Sequence, residues 1–156
     1  MTQIRPMTLH DYDAVIALMK QTPGVSVRDA DSRDAVGRYL ERNPGLSFVA
    51  CADEADGIVG TQAAHRAIVG CIMSGHDGRR GYLQHLVVHP DHRRRGLGGA
   101  LATHCIDALA ALGIHKCHVD VLKNNASGAD FWTRQGWSLR TDIDRYSHIR
   151  GGNANA

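Results

Sequence analysis

The chain has 156 residues, the size of one domain with a substantial buried core. Hydrophobic residues make up 43% of it and charged residues 22%, as in ordinary globular proteins. The formal net charge of +2 gives no overall electrostatic case for binding nucleic acid or an anionic membrane. The four cysteines lie in apolar runs without C-x-x-C spacing, which favours buried thiols. Since no apolar run is long enough for a signal peptide or a membrane span, we expect a cytoplasmic protein.

The N-terminal part of the chain predicts a short strand followed by two helices. The strand covers 4–6, and the first helix lies between Thr8, which opens a capping-box pattern, and Pro23. Ser32 can cap the second helix, which ends at Asn43 because proline and glycine follow. Both helices carry apolar residues at helical spacing, so each is expected to pack one face against the core.

The middle of the chain predicts an antiparallel meander. Its strands are expected at 46–52, 67–75 and 82–89, with an Asp-Gly hairpin turn at 76–81. The tripeptide Ile-Val-Gly occurs twice in this part of the chain, and either copy could be the strand. We favour the second copy as the strand, which makes 58–66 an enlarged loop.

A basic, glycine-rich loop follows this meander and leads into a long apolar helix. It consists of Arg93, Arg94, Arg95, Gly96, Leu97, Gly98 and Gly99. The first N–H groups of a helix have no intrahelical partners, and the helix dipole adds partial positive charge there. The arginines add further charge, and glycine lets the backbone approach a ligand closely. The loop therefore predicts a site for a phosphate or pyrophosphate, although neither the P-loop motif nor G-x-G-x-x-G is present.

The remainder of the chain predicts two more helices and more strands. The helix after the loop ends at Gly113, and 114–122 alternates as a strand does. Ser127 and Asp130 can cap a short helix, and 137–149 is expected to form a strand pair or one long strand.

A strand–helix–strand unit around 82–122 implies a right-handed crossover and a parallel pair of strands. The other strands run antiparallel. The predicted fold is therefore α/β (α+β), with a mixed, mostly antiparallel central sheet of six to seven strands and helices on both faces. We expect a single domain at 1–150 and a disordered polar tail at 151–156.

Two motifs in this chain resemble those of the GCN5-related N-acetyltransferases, the GNAT superfamily. The first is [QR]-x-x-G-x-[GA], present at 93–98. The second is N-x-x-A-x-x-[FL]-Y-x-x-x-G-[FW], which 125–137 matches in most positions. The resemblance covers nearly the whole chain and implies the GNAT (acyl-CoA N-acyltransferase) fold.

The resemblance also implies how acetyl-CoA is held. Its pyrophosphate would lie on the loop from Arg93 to Gly99. Its pantetheine arm would run along the backbone of the fourth strand and beside the asparagine and aromatic positions of the second motif. The residues concerned are Leu86, Val87, Val88, Asn125 and Trp132.

Two positions depart from the family pattern. Trp132 replaces the tyrosine that often protonates the departing thiolate, and an indole N–H cannot usefully give up its proton. Water or Tyr146 could act instead, or no acid is needed. The fourth strand lacks the usual carboxylate base, and His85 is the nearest titratable substitute.

The resemblance implies an N-acetyltransferase that moves the acetyl group of acetyl-CoA to a primary amine by direct attack in a ternary complex. The acceptor would be a small-molecule or peptide amine that the sequence does not identify. A catalytically weak regulatory module that binds CoA or acyl-CoA is the alternative. We expect no metal, because His85, His89 and His92 lack a carboxylate or thiolate to complete a set. We expect neither nucleic acid nor membrane as partner, and the resemblance alone suggests a homodimer through the last strands.

Overall fold

The computed structural model describes residues 1–53 and 67–156, and the predicted loop at 58–66 lies outside them. Five strands are present in this part of the chain: β1 Thr2–Pro6, β2 Phe48–Ala52, β3 Ala67–His76, β4 Gly81–Val88 and β5 Cys117–Val119. The helices are α1 Tyr12–Lys20, α2 Arg33–Arg42, α3 Leu97–Ala111 and α4 Ala126–Arg134. None of the described helices is both long enough and apolar enough to cross a membrane.

The strands form one mixed sheet in the order β1-β2-β3-β4-β5. The first three pairings are antiparallel, and β4 pairs with β5 in parallel. Helix α3 connects these two parallel strands, as the predicted crossover requires. β5 is shorter than predicted, and its last pairing joins Leu83 to Val119.

Helices cover both faces of the sheet, as predicted, because the strands alternate between two apolar cores. On one face, Phe48 and Ala50 of β2 lie in a buried cluster with residues of α3 and with Trp132 of α4. On the other face, Val49 and Cys51 lie in a cluster with residues of α1 and α2. The period of two along β2 thus divides the core between the two helical layers.

The helix ends follow from local sequence, with one correction. Ser32 caps α2 by accepting a hydrogen bond from Ala35 N at 3.4 Å, and Gly113 follows α3 with a φ of +81°. The predicted cap of α4 is wrong: Asn125 is the N-cap residue and accepts from Gly128 N at 3.0 Å. Ser127 instead donates its hydroxyl to Asn125 Oδ1.

The predicted strand at 137–149 is absent, so the expected six to seven strands are wrong and the described residues form five. Leu139 is 89% exposed and Tyr146 is 93% exposed. From Leu139 onward, the large apolar residues of this segment recur at intervals of four and three rather than two, with charged residues between them. Such a pattern offers no continuous apolar face for a sheet to bury.

Residues 153–155 lie against the chain that precedes α2, although the sequence predicts a disordered tail there. Asp29 N donates to Asn155 O at 3.1 Å, and Asn153 Nδ2 donates to the Asp29 carboxylate at 2.8 Å. The domain boundary at 150 stays a prediction.

Candidate active site

A β-bulge in β4 shapes the centre of the sheet. Cys71 pairs with Val87 and Met73 pairs with Gln84, so two steps along β3 face three steps along β4. Within the bulge, His85 has a φ of +51°, a left-handed conformation that is uncommon for residues other than glycine. Bulges re-aim side chains and recur beside active sites, so this irregularity marks the surroundings of His85 as a candidate site.

His85 is paired with a carboxylate that the sequence analysis missed. Its Nε2 lies 2.7 Å from Asp31 Oδ1, and the two side chains are 23% and 8% exposed. If Nε2 carries the proton and donates it to Asp31, Nδ1 is the nitrogen free to accept another proton. A carboxylate in this position fixes the imidazole orientation and stabilises its protonated form.

Asp31 is itself held by local backbone. Its Oδ2 accepts from Arg28 N at 2.9 Å within the short 3₁₀ turn Asp29–Asp31, and Tyr12 donates its hydroxyl to the Asp31 carbonyl at 2.7 Å. No local pattern predicts the pair, because Asp31 and His85 are 54 positions apart and 29–31 has the composition of an ordinary polar loop.

A cavity of about 460 Å³ opens beside this pair. Its lining residues are Ala30, Asp31, Ala35, Tyr39, Met73, Leu83, Gln84, His85 and Asp120. Among the described residues, the lining includes two carboxylates and neither lysine nor arginine, although Asp120 also contacts Arg145 at 3.1 Å. Burial raises the pKa of the Tyr39 phenol, so that group stays neutral. The cavity therefore favours a cationic or hydrogen-bonding occupant over an anionic one.

The edge of β4 that faces β5 is paired over only part of its length. Pairing ends at Leu83, and within the described chain no β5 residue pairs with 84–88. This stretch contains the predicted pantetheine residues Leu86, Val87 and Val88. Backbone groups on such an edge can pair with an extended ligand as an added strand would.

The glycine-rich loop has the conformation that an anion site needs. Arg94 and Gly96 have φ values of +63° and +75°, and Gly96 is the N-cap of α3. Ala100 donates the first i→i−4 hydrogen bond of the helix, to Gly96 O, so the three preceding N–H groups have no partner within the helix. Arg93 differs from its two neighbours, because its Nε donates to Val88 O at 2.8 Å and ties the loop to the end of β4.

Two glycines of this loop have a packing role that the sequence analysis did not identify. A Cβ on Gly98 would lie 3.1 Å from the Phe131 ring, and a Cβ on Gly99 would lie 2.9 Å from the Gln135 side chain. Phe131 belongs to α4, and Gln135 is its C-cap. The glycines therefore allow α3 to approach α4, whereas close approach to a ligand was the only role expected for them.

Three other predicted site residues lie outside both the cavity beside His85 and the glycine-rich loop. Asn125 caps α4 as described above, at the end of the sheet where β5 stops. Trp132 is 8% exposed and stacks edge-on against Trp137 with ring centroids 4.8 Å apart, so it is a core residue. Tyr146 does not line the cavity that contains His85, and its exposure gives the predicted acid role no support.

Within residues 1–53 and 67–156, no group of three His, Cys, Asp or Glu side chains is placed to share a metal ion.

Known proteins share both the sequence pattern and the architecture. Residues 12–137 match the Acetyltransferase (GNAT) family. An acetyltransferase of Pectobacterium atrosepticum is 34% identical over 123 residues, which cover 79% of this chain and 78% of that protein.

Two solved structures extend the comparison to the fold. The PaiA N-acetyltransferase of Thermoplasma acidophilum, in complex with coenzyme A, has a TM-score of 0.75 at 18% identity and covers 92% of this chain and 93% of its own. An aminoglycoside acetyltransferase from an uncultured soil metagenomic sample, in complex with sisomicin, has a TM-score of 0.68 at 18% identity and covers 95% of each chain.

The mixed sheet, the bulged fourth strand and the glycine-rich helix start define an acyltransferase of the GNAT type. The chain belongs to the GNAT family and is an acetyl-CoA-dependent acetyltransferase.

Proposed function

We propose that this protein transfers the acetyl group of acetyl-CoA to a primary amine by direct attack in a ternary complex, with His85 as general base. The observation that carries the proposal is the His85–Asp31 pair at 2.7 Å, in a cavity beside the unpaired edge of β4. The cavity would receive the amine, and the edge would receive the acyl carrier.

The described residues fit acetyl-CoA at two places. The loop from Arg93 to Gly99 offers unpartnered helix N–H groups and the exposed guanidinium groups of Arg94 and Arg95 to a pyrophosphate. The backbone at 86–88, with Asn125 nearby in the family arrangement, would hold the pantetheine arm. When bound, acetyl-CoA supplies a thioester whose carbonyl carbon is open to attack.

The protein's part in the chemistry is to remove a proton and to hold two substrates together. An amine arrives as an ammonium ion and must lose a proton before its nitrogen can form the new N–C bond. His85 Nδ1 would take that proton, and Asp31 would stabilise the resulting imidazolium. The C–S bond breaks as the amide forms, and the thiolate is a tolerable leaving group that can take its proton from water. Alignment of the two substrates would supply much of the rate.

The acceptor we propose is a small cationic amine. Asp31 and Asp120 line the cavity, and no lysine or arginine does so among the described residues, which suits an ammonium ion before it is deprotonated. The structurally similar aminoglycoside acetyltransferase is in complex with sisomicin, which gives a chemical precedent for such an acceptor at the level of the fold.

A thiol-release assay with acetyl-CoA and a panel of amines and peptides tests the proposal, together with calorimetric titration of coenzyme A. We expect turnover with cationic amines that falls at least tenfold in His85→Gln. Coenzyme A binding without turnover on the whole panel would favour the alternative, a regulatory module that binds acyl-CoA. Absence of coenzyme A binding would show that the glycine-rich loop has been misassigned.

A further inference from the structure

The C-terminal residues contact the segment that holds Asp31. Asn153 Nδ2 and Asn155 Nδ2 both donate to the Asp29 carboxylate, at 2.8 and 2.5 Å. The backbone takes part as well: Asp29 N donates to Asn155 O at 3.1 Å, and the Arg28 side chain donates through Nη1 to Ala154 O at 3.2 Å. The two carboxamides lower the pKa of Asp29, as donors to a carboxylate do. Residues 28–29 are thus held by groups more than 120 positions away.

The same two residues form the base of the turn that carries Asp31, the partner of His85. Asp31 N donates to Arg28 O at 2.8 Å, and Arg28 N donates to Asp31 Oδ2 at 2.9 Å. The other oxygen of Asp31 contacts His85. The C-terminal carboxamides are therefore linked to the imidazole through hydrogen bonds to Asp29, the peptide bond between Asp29 and Arg28, and the hydrogen bonds from Arg28 N to Asp31 and from Asp31 to His85.

We propose that Asn153 and Asn155 are positioning residues, which hold the turn Asp29–Asp31 so that Asp31 meets His85. This inference rests on the function proposed above, in which that pair removes the proton from the amine. Neither asparagine contacts the cavity itself, so both act through Asp29.

The surroundings of the turn explain why a distant anchor matters. Helix α1 ends at Lys20 and α2 begins at Arg33, and the 3₁₀ turn is the one regular element in the connection between them. Arg28, Asp29 and Ala30 are exposed, whereas Asp31 is buried. A connection of this length with few buried side chains depends on individual hydrogen bonds to keep one geometry. General-base catalysis is sensitive to displacements of the catalytic groups by as little as about 1 Å.

The first test combines Asn153→Ala/Asn155→Ala with two readouts. Hydrogen exchange of the Arg28 and Asp29 amides, measured by NMR, should speed up because the Asp29 carboxylate loses the two carboxamide donors that hold residues 153–155, and with them the backbone acceptor at position 155, against the turn. The kcat for the best amine should fall about three- to tenfold, since only part of the general-base contribution is lost. The KM for acetyl-CoA should not change, because the glycine-rich loop is untouched. The conservative Asn153→Gln/Asn155→Gln variant keeps both carboxamides and should recover part of the loss.

A double-mutant cycle isolates the contact. Asp29→Ala removes the acceptor of both carboxamides, so adding Asn153→Ala/Asn155→Ala to it should cause no further loss of kcat. Leu139→Ser, which alters an exposed side chain in the segment 137–149, is the control and should leave exchange and kcat unchanged.

The outcomes separate this inference from the proposed function. Unchanged amide exchange and unchanged kcat in the double alanine variant would overturn it. Faster exchange with no turnover on any amine, in parent and variants alike, would retain the coupling of the C-terminal segment to the turn while removing the proposed function. Strict additivity in the cycle would also overturn it, because the asparagines would then act elsewhere.

Discussion

Arg5 and Asp11 form a bidentate ion pair that joins the first strand to the start of the first helix. Arg5 Nη1 donates to Asp11 Oδ2 at 2.8 Å, and Nη2 donates to Oδ1 at 2.7 Å. Asp11 is buried, with its side chain 8% exposed, while that of Arg5 is 40% exposed. Although burial raises the pKa of Asp11, the hydrogen bonds from Arg5 and Thr8 together hold it below its usual range.

Arg5→Ala should destabilise the fold by about 2 kcal/mol, because it leaves a buried carboxylate without its main partner while solvent screens part of the charge. The native-state pKa of Asp11 is lowered, so its contribution is present above the ordinary carboxyl range and is lost as the pH falls through the native value. Urea unfolding at pH 7 and at pH 3 measures both effects. Asp142→Asn is the control. Asp142 and Arg140 also form two hydrogen bonds, both at 2.8 Å, but the Asp142 carboxylate is exposed. A midpoint shift equal to that of Arg5→Ala would contradict the role of burial.

Asp31→Asn should lower kcat about 10- to 100-fold with little change in the KM for acetyl-CoA. The measurement is a set of initial rates between pH 5 and 9 for both proteins. A kcat that stays intact across this pH range in Asp31→Asn would mean that the pair is structural only.

Arg94→Ala/Arg95→Ala should weaken coenzyme A binding by about tenfold or more, and the loss should shrink as salt is added. Both side chains are exposed beside the unpartnered N–H groups of α3, where a pyrophosphate would lie. Arg79→Ala/Arg80→Ala removes the same charge from an adjacent arginine pair in the β3–β4 turn and should leave the affinity unchanged. Equal losses in the two double variants would indicate an effect of net charge instead of a site.

Gly98→Ala should destabilise the protein by about 1–3 kcal/mol, because the new methyl group would press on the Phe131 ring at 3.1 Å. Thermal unfolding measures the loss, and Gly98→Ala/Phe131→Leu should recover part of it relative to Phe131→Leu alone. Gly78→Ala is a useful comparison, since a Cβ there meets no atom within 4 Å and its cost comes from a φ of +92° alone. If Phe131→Leu gives no recovery, the contact between α3 and α4 is not what requires glycine at 98.

Local sequence was sufficient for most of the fold. The caps, the helical periods and the Asp-Gly turn each involve neighbouring residues, and they placed four helices and the strands of the meander correctly. The segment 137–149 was mispredicted because residues such as Leu139 and Ile143 suggested a strand, while strand formation depends on a partner and on which face is buried. That information is not in the segment itself.

The candidate site was predictable only where it is local. The loop from Arg93 to Gly99 is one continuous stretch, and its strand–loop–helix setting could be recognised directly. The partner of His85 could not be recognised from the sequence, because Asp31 reaches His85 only when the irregular connection between α1 and α2 packs onto the bulge in β4. The packing role of Gly98 was hidden for the same reason, since the ring that it meets lies two elements further along the chain.

The contact between Gly98 and Phe131 has a consequence for how this protein can diverge. The two parts of the proposed acetyl-CoA site, at the start of α3 and at the start of α4, lie on helices that pack together at Gly98, where a larger side chain would meet the Phe131 ring. Positions 98 and 131 should therefore covary: a relative with alanine at 98 should carry a smaller side chain at 131. Substitution at one position alone would be selected against even where neither residue touches the reactants.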